Sequence, residues 1–442
     1  MPANRRAAQL QEGTCEAIAG SVRQHLPPGG YRDFVLWALS TDNPRRPDYL
    51  QMTGLTQLVT MNVTLLGGLI DAEAWPTVRR YLELMNAYQF FETITDNVAM
   101  GLGAPSLTIS ALERLEVITA LNRAMLQALA PGRTEPAVLL LSGAPRQAAR
   151  RASAFDLSLA TTKYAGIAEE YARHQVHAGA EPDVPDIEYG LWAALVANVE
   201  TCREVAQALD ANPVGPLVRD GLICRYRAVD RSLRGQALSR MELAMLGAQT
   251  ILVVPTLAYG MGVLAIAGAT IPELQSVLAD GSLADVLFDA ALLVRLQNDV
   301  GTKLLTMPPD EQAALIERLT RRAVQRHLVE AVDALALLVE ESGAEIALTR
   351  LHKDIIKEEF NVVLWHARRA ADAGSALRAF ADSLDYMSTL YVRHTRRLGA
   401  GLATLDDRLG DRRMSTVIER FVRFHERMYS HRFTERIGEY AI

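Results

Sequence analysis

The sequence predicts an all-α fold, and two observations carry that prediction. Residues 111–129, 189–209, 313–338 and 375–398 place apolar side chains at three- and four-residue spacing, with Ala, Leu, Arg and Glu between them, which is the pattern of a helix burying one face. Alternating β-branched runs bounded by turn residues, the mark of strands, are nearly absent. Helix breaks are predicted where Gly and Pro gather, at Leu26-Pro-Pro-Gly-Gly30 and at residues 101–105, 130–133, 179–185, 307–310 and 399–401. No linker is long or polar enough to demand a second domain, and there is no internal repeat. The expected organisation is a flexible segment over residues 1–30 and one large helical bundle over 31–442, with an extra helical stretch at about 307–350.

Composition narrows the class. The 442 residues carry 46 basic and 52 acidic side chains, a formal charge of -6, and 49% hydrophobic residues, as a soluble globular protein does. That mild negative balance lacks the electrostatic footprint of a nucleic-acid binder. Of the basic residues, 42 are Arg and 4 are Lys, a bias we attribute to codon usage. Cys15, Cys202 and Cys224 are too scattered for a disulfide framework and have no partner at zinc spacing, so a reducing cytoplasm is the expected compartment. The nine His form no HExxH pair, and no GxGxxG or GxxxxGK[ST] run occurs, so neither zinc chemistry nor a nucleotide cofactor is expected. The first residues are basic with no apolar core following, so neither a signal peptide nor a lipidation site is expected.

Leu243 to Pro272 contains no charge at all, and about 20 apolar residues can span a bilayer. Pro255, Gly260 and Gly262 interrupt the run, Gln249 and Tyr259 break its apolar surface, and no basic cluster flanks it. A kinked helix buried in a large core is expected here, not stable membrane insertion.

Two predicted helices carry acids that need partners. In Tyr88-Gln-Phe-Phe-Glu-Thr-Ile-Thr-Asp-Asn97, Glu92 and Asp96 are four apart and project from one helical face, which the preceding apolar residues turn inward. Burying unpaired charge costs several kcal/mol or forces protonation, so either an Arg or a metal must meet them. In Leu292-Leu-Val-Arg-Leu-Gln-Asn-Asp-Val-Gly-Thr-Lys303, Asn298 and Thr302 share a face, with Asp299 and Arg295 beside them. These hard oxygens suit Mg²⁺, which completes its octahedron with water and phosphate oxygens. Arg295 would supply a fixed positive fork for the same phosphate.

Arg295-Leu-Gln-Asn-Asp-Val-Gly-Thr302 resembles the second metal motif of class I terpene synthases, in which an Arg-Leu-x-(Asn/Asp)-Asp lead-in precedes a Ser or Thr four residues after the Asn. Glu92-Thr-Ile-Thr-Asp96 then resembles a degenerate DDxxD motif. Ser239-Arg-Met-Glu-Leu-Ala-Met-Leu-Gly-Ala-Gln-Thr250 is similar to the helix carrying that family's diphosphate-sensing Arg, with the charge-free run as its kinked central helix. The resemblance spans roughly residues 31–440 and has three departures. Thr93 removes a carboxylate from the first motif, and Thr306 stands where the family places a metal-binding Glu. No Arg lies near Met245 or Leu246, the nearest being Arg240.

The family's second motif runs almost directly into an Asn-Leu-Val segment, whereas the nearest match here, Phe360-Asn-Val-Val363, follows after the extra stretch Met307 to Leu348. Glu358 or Asp354, on His352-Lys-Asp-Ile-Ile-Lys-Glu-Glu359, is therefore expected to replace the missing acid.

The resemblance implies a class I terpenoid synthase bundle holding several Mg²⁺ ions. Glu92, Asp96, Asn298, Asp299, Thr302 and Glu358 would be the ligands, and Arg295, Arg240 and Tyr259 the catalytic candidates. The implied reaction is ionisation and cyclisation of a linear prenyl diphosphate, geranylgeranyl or farnesyl diphosphate, with release of diphosphate. Mg²⁺ and Arg would stabilise the leaving group, and aromatic walls the cation. Tyr88, Phe90, Phe91, Trp37, Tyr259 and Trp365 are available as walls, although an aromatic residue at helical spacing is more often ordinary core. The family closes its site with a C-terminal Arg-Tyr pair; Arg427, Tyr429, Arg432, Arg436 and Tyr440 are within reach of that role. Eleven Arg between residues 393 and 436 serve equally well as a salt-bridged solvent face. Leu405-Asp-Asp-Arg-Leu-Gly-Asp411 matches DDxxxD but follows a Gly/Ala run, and is expected to be a solvated turn and helix start. A chain-elongating or head-to-head prenyl synthase, which calls for two full aspartate-rich motifs, and a non-catalytic diphosphate- or partner-binding relative remain alternatives. A homodimer is the oligomer considered, with the oligomeric state itself left open by the sequence.

Overall fold

The computed structural model describes residues 3–26, 28, 30–99, 111–143, 146–147, 165–179, 190–235, 237–268, 271, 273–356 and 358–431. Among these residues the secondary structure is twenty α-helices and two short 3-10 helices, with no strand, so the protein is all-α. The chain forms two compact units, Met1–Leu233 with Ala258–Thr270, and Arg234–Leu257 with Ile271–Ile442, where the sequence predicted one bundle. The chain passes between them at Leu233/Arg234 and, within the charge-free segment, at Leu257/Ala258 and Thr270/Ile271.

The first unit holds α1 (Ala3–His25), α2 (Gly30–Leu39), α3 (Arg46–Met52), α4 (Leu55–Leu66), α5 (Trp75–Ala99), α6 (Ala111–Ala128), α7 (Ala137–Leu140), α8 (Ala165–His177), α9 (Gly190–Ala208) and α10 (Gly215–Ser232). Its centre is α5 packed on α9, with α1 alongside α5. The N-terminal segment predicted to be flexible is therefore a helix inside the packing. Leu10, Thr14, Ile18 and Val22 are all fully buried; every fourth residue forms one narrow stripe, which the polar residues around it mask in the sequence. The predicted break at residues 26–30 separates α1 from α2, and Gly132 (φ 73) turns the chain after α6 as expected. Residues 101–105 lie outside the described residues.

The second unit holds α11 (Arg240–Gln249), α13 (Leu274–Ala279), α14 (Ser282–Val300), α15 (Thr302–Leu305), α16 (Pro309–Gln325), α17 (Ala331–Glu341), α18 (Thr349–Ile356), α19 (Ala373–Leu409) and α20 (Arg413–His431), while α12 (Val253–Ile266) runs from this unit into the first. From Val286 to Val300 every residue of α14 except Phe288 and Asn298 is buried, as expected of a central helix covered all round. It packs on α19, with α11 and α20 also against it.

The apolar run breaks between Gln249 and Val253, not at Pro255. That proline sits in the first turn of α12, where its missing N–H costs no helical hydrogen bond. No single helix among the described residues is long and apolar enough to cross a membrane. The predicted break at 399–401 does not occur, because α19 continues through it. A Cβ on Gly401 would stand 2.8 Å from Val286 Cγ2, so this glycine lets α19 approach α14 and does not end a helix. The extra stretch is helical, as α16 and α17, but it is divided near His327 (φ 55).

Candidate functional site

Each of the two sequence motifs lies in a buried polar cluster, the first within the first unit and the second within the other. Glu92 on α5 is 6% exposed. Its Oε1 is ion-paired with Arg225 of α10, and its Oε2 accepts from Asn198 Nδ2 of α9 at 2.7 Å and from the Tyr226 hydroxyl at 3.1 Å. The Tyr226 and Tyr88 hydroxyls lie 2.8 Å apart, and the Arg225 guanidinium lies 5.0 Å from the Tyr226 ring centroid. Burial pushes both tyrosines well above their usual range and the neighbouring Cys202 thiol up to about 12. These groups therefore stay neutral around a single ion pair. Thr93 donates to the Gln89 carbonyl of its own helix at 2.8 Å. Asp96 is on α5, but its side chain lies outside the described residues.

The second cluster forms where α14 ends. The expected continuous face from Asn298 to Thr302 is interrupted, because Gly301 (φ 84, ψ 142) stops α14 after Val300 and Thr302 starts α15. The Thr302 hydroxyl donates to the Glu426 carbonyl of α20 at 3.0 Å. Asp299 Oδ1 is 2.8 Å from Arg295 Nη2, one turn earlier, and Oδ2 accepts the Val362 N–H at 2.9 Å. Arg350 of α18 donates from Nη1 to Asp354 Oδ1 at 2.8 Å and from Nη2 to Asn298 Oδ1. Asn361 Nδ2 donates to Asp354 Oδ2 and to the Asp299 carbonyl, each at 2.8 Å. Arg368 donates from Nη2 to the Asp354 carbonyl at 2.6 Å and from Nη1 to that of Glu359.

The two carboxylates respond differently to burial. It pushes Asp299 up to about 6, with only partial relief from Arg295 and a further rise from the Asp354 charge. For Asp354, burial is outweighed by Arg350, Lys353 and the Asn361 amide, and its carboxyl stays below the usual range. Of the two acids offered for the missing Glu, Asp354 is therefore beside the second motif. Glu358 is exposed, with left-handed backbone (φ 52).

The other expected residues are spread across both units. Arg240 lines an open groove of about 720 Å³ with Ser239, His366, Arg378 and Tyr386, and it pairs with Asp382 at 3.1 Å. Where the sensing Arg was sought, Gly247 instead brings α11 close to Arg295 and Val362. Tyr259 is buried and donates to the Tyr81 carbonyl at 3.1 Å. Phe91 is buried edge-on to Phe90, their centroids 5.3 Å apart. Trp365 is buried beneath Arg369, whose guanidinium carbon lies 3.6 Å from its ring centroid. The Tyr429 ring centroid lies 5.9 Å from the Arg350 guanidinium carbon, whereas Arg427 is exposed. Arg432, Arg436 and Tyr440 lie outside the described residues. Asp406 and Asp407 are near the end of α19, with Asp406 paired to Arg412 at 3.1 Å.

As the side chains stand, they do not fit Mg²⁺. Each carboxylate oxygen of Glu92, Asp299 and Asp354 faces an N–H or O–H donor, Asn298 Oδ1 faces a guanidinium, and Thr302 is engaged with α20. A hard dication needs such oxygens with their lone pairs turned towards it. Among the described residues, no group of three or more His, Cys, Asp or Glu is placed to hold a metal.

Arg225, Asn198, Tyr226, Arg350 and Arg368 were not singled out from the sequence. Arg350 had a signal, since it precedes Asp354 by four residues on one helix. The partners of Glu92 come from distant helices and left none. No protein-family model matches this chain, and neither the curated proteins nor the solved structures contain a significant match.

Proposed function

We propose that the chain ionises and cyclises a linear prenyl diphosphate, of farnesyl or geranylgeranyl length, in the manner of class I terpene synthases. The reading is supported by one observation: Arg295, Asn298 and Asp299 share a buried cluster with Asp354, an acid from beyond the extra helical stretch. In such a reaction the allylic C–O bond breaks with its electron pair leaving on the diphosphate, and the allylic cation closes a ring and then loses a proton. Positive groups preorganised at the departing oxygens lower that barrier. Here the candidates are the guanidinium groups of Arg295, Arg350 and Arg368, whose planar forks suit phosphate oxygens.

A second reading is favoured by the Glu92–Arg225 pair. With both Glu92 oxygens occupied inside the protein, the first motif serves packing, and the chain is then a non-catalytic helical relative. Incubation with geranyl, farnesyl, geranylgeranyl and longer prenyl diphosphates, with Mg²⁺ and with EDTA, separates the readings. Cyclised hydrocarbon with diphosphate release supports the first, and lengthened or joined chains would assign a prenyl synthase instead. No product and no diphosphate from any substrate would sink both the cyclase and the prenyl synthase and leave the non-catalytic relative.

A further inference from the structure

The acids of this cluster could be kept in the interior by arginines or by a metal, and in this fold Arg295 meets Asp299 while Arg350 meets Asp354 and Asn298. We propose that the Arg350 guanidinium is the resident cation of the Asn298–Asp299–Asp354 cluster and bars divalent ions from these oxygens. Its two terminal nitrogens engage Asp354 Oδ1, at 2.8 Å, and Asn298 Oδ1. One planar group thus joins oxygens supplied by two different helices, as a bridging ion would. The other oxygens are committed as well: Asp299 Oδ1 to Arg295 at 2.8 Å, Asp299 Oδ2 to the Val362 N–H at 2.9 Å, and Asp354 Oδ2 to Asn361 at 2.8 Å.

Charge leads to the same conclusion. Two buried carboxylates already meet two buried guanidinium groups, so a dication would add positive charge with no anion left to receive it. The backbone holds this arrangement in place. Gly301 has φ 84, and a Cβ there would stand 3.2 Å from Arg350 Cβ, so a glycine lets the Arg350 stem lie against the end of α14 without strain. The Tyr429 ring, 5.9 Å from the guanidinium carbon, bounds it on another side. The five-donor fork satisfies fixed oxygens without shedding the tightly held water of Mg²⁺.

Ion binding alone tests this, so a lack of turnover on prenyl diphosphates would leave it standing. The full-length protein is titrated with Mn²⁺, and bound ion is read from loss of the free-ion EPR signal. Wild type and Asp354→Asn are expected to titrate alike. Arg350→Met is expected to gain one Mn²⁺ per chain, and adding Asn298→Ala or Asp354→Asn should remove it. Arg350→Lys, which keeps the charge, should gain none. A wild-type Mn²⁺ that disappears in Asp354→Asn would overturn the proposal, as would Arg350→Met with native circular dichroism and no added ion. If Arg350→Met fails to fold, the wild-type comparison with Asp354→Asn and Asn298→Ala decides the matter.

Discussion

Asn361 ties Asp299 to Asp354: its Nδ2 donates at 2.8 Å both to the Asp299 carbonyl and to Asp354 Oδ2. Its own Oδ1 accepts the N–H groups of Val363, at 2.9 Å, and Leu364, at 3.2 Å. One fully buried amide thereby satisfies a helix-end carbonyl, a carboxylate and a tight turn. Asn361→Ala removes all of these hydrogen bonds, leaving Asp354 held by Arg350, and we expect a loss of about 2–4 kcal/mol, read from the urea midpoint at unchanged m-value.

Glu92 and Arg225 offer a double-mutant cycle. Each is nearly buried beside the other, and removing one partner of such a pair costs about 3–5 kcal/mol. Glu92→Leu and Arg225→Met should each destabilise by that order, whereas the double variant should lose markedly less than their sum. Additive losses would mean that the two charges are not coupled.

Gly301→Ala places a Cβ on a backbone at φ 84 and 3.2 Å from Arg350 Cβ. Strain and contact together predict a loss of about 1–3 kcal/mol. Gly399→Ala, where nothing lies within 4 Å of the added carbon inside α19, should instead stabilise by up to about 1 kcal/mol. Comparison of the two melting temperatures tests both.

His425 titrates abnormally. Burial against Phe421, Phe424 and Tyr429 lowers its pKa from 6.5 to about 4, despite its contact with the Phe421 carbonyl at 2.9 Å. The unfolded chain takes up this proton as pH falls through 6.5, while the folded chain does so only near 4. Stability is therefore lost between those values and is level below them, by about 3 kcal/mol for this group. Asp299, raised to about 6, contributes with the opposite sign as pH falls towards 4, so the measurement is the difference between wild type and His425→Phe. Parallel pH profiles for the two proteins would refute the assignment.

Much of the helical layout is legible from residue spacing. The helices α6 and α9 occur almost where the spacing places them, whereas α19 runs past its expected end and the stretch 313–338 is split into α16 and α17, because a face buried at three- and four-residue intervals shows itself locally but its ends do not. Glycine misled at residues 399–401, since a residue without a side chain marks a turn and a close helix contact equally well. Only its neighbour, Val286, separates the two. The acids could be recognised as needing partners, but the sequence left Glu358 and Asp354 as alternatives and favoured Glu358, which the fold leaves exposed while Asp354 joins the cluster. The identity of the partner could not be recognised.

The sequence by itself determined that this protein is all-α, that the face of Glu92 and Asp96 turns inward, and that Asp299 is an acid in need of a partner. It also determined that burial would oblige each of them to find compensating charge. Tertiary structure decided what supplies that charge: Arg225 for Glu92, Arg295 for Asp299, and Arg350 across Asn298 and Asp354. It decided the division into two units as well. The physical reason is that desolvation is a property of one residue and its face, which periodicity encodes. Neutralisation by an arginine on another helix is a relation between residues that meet only once the chain has folded.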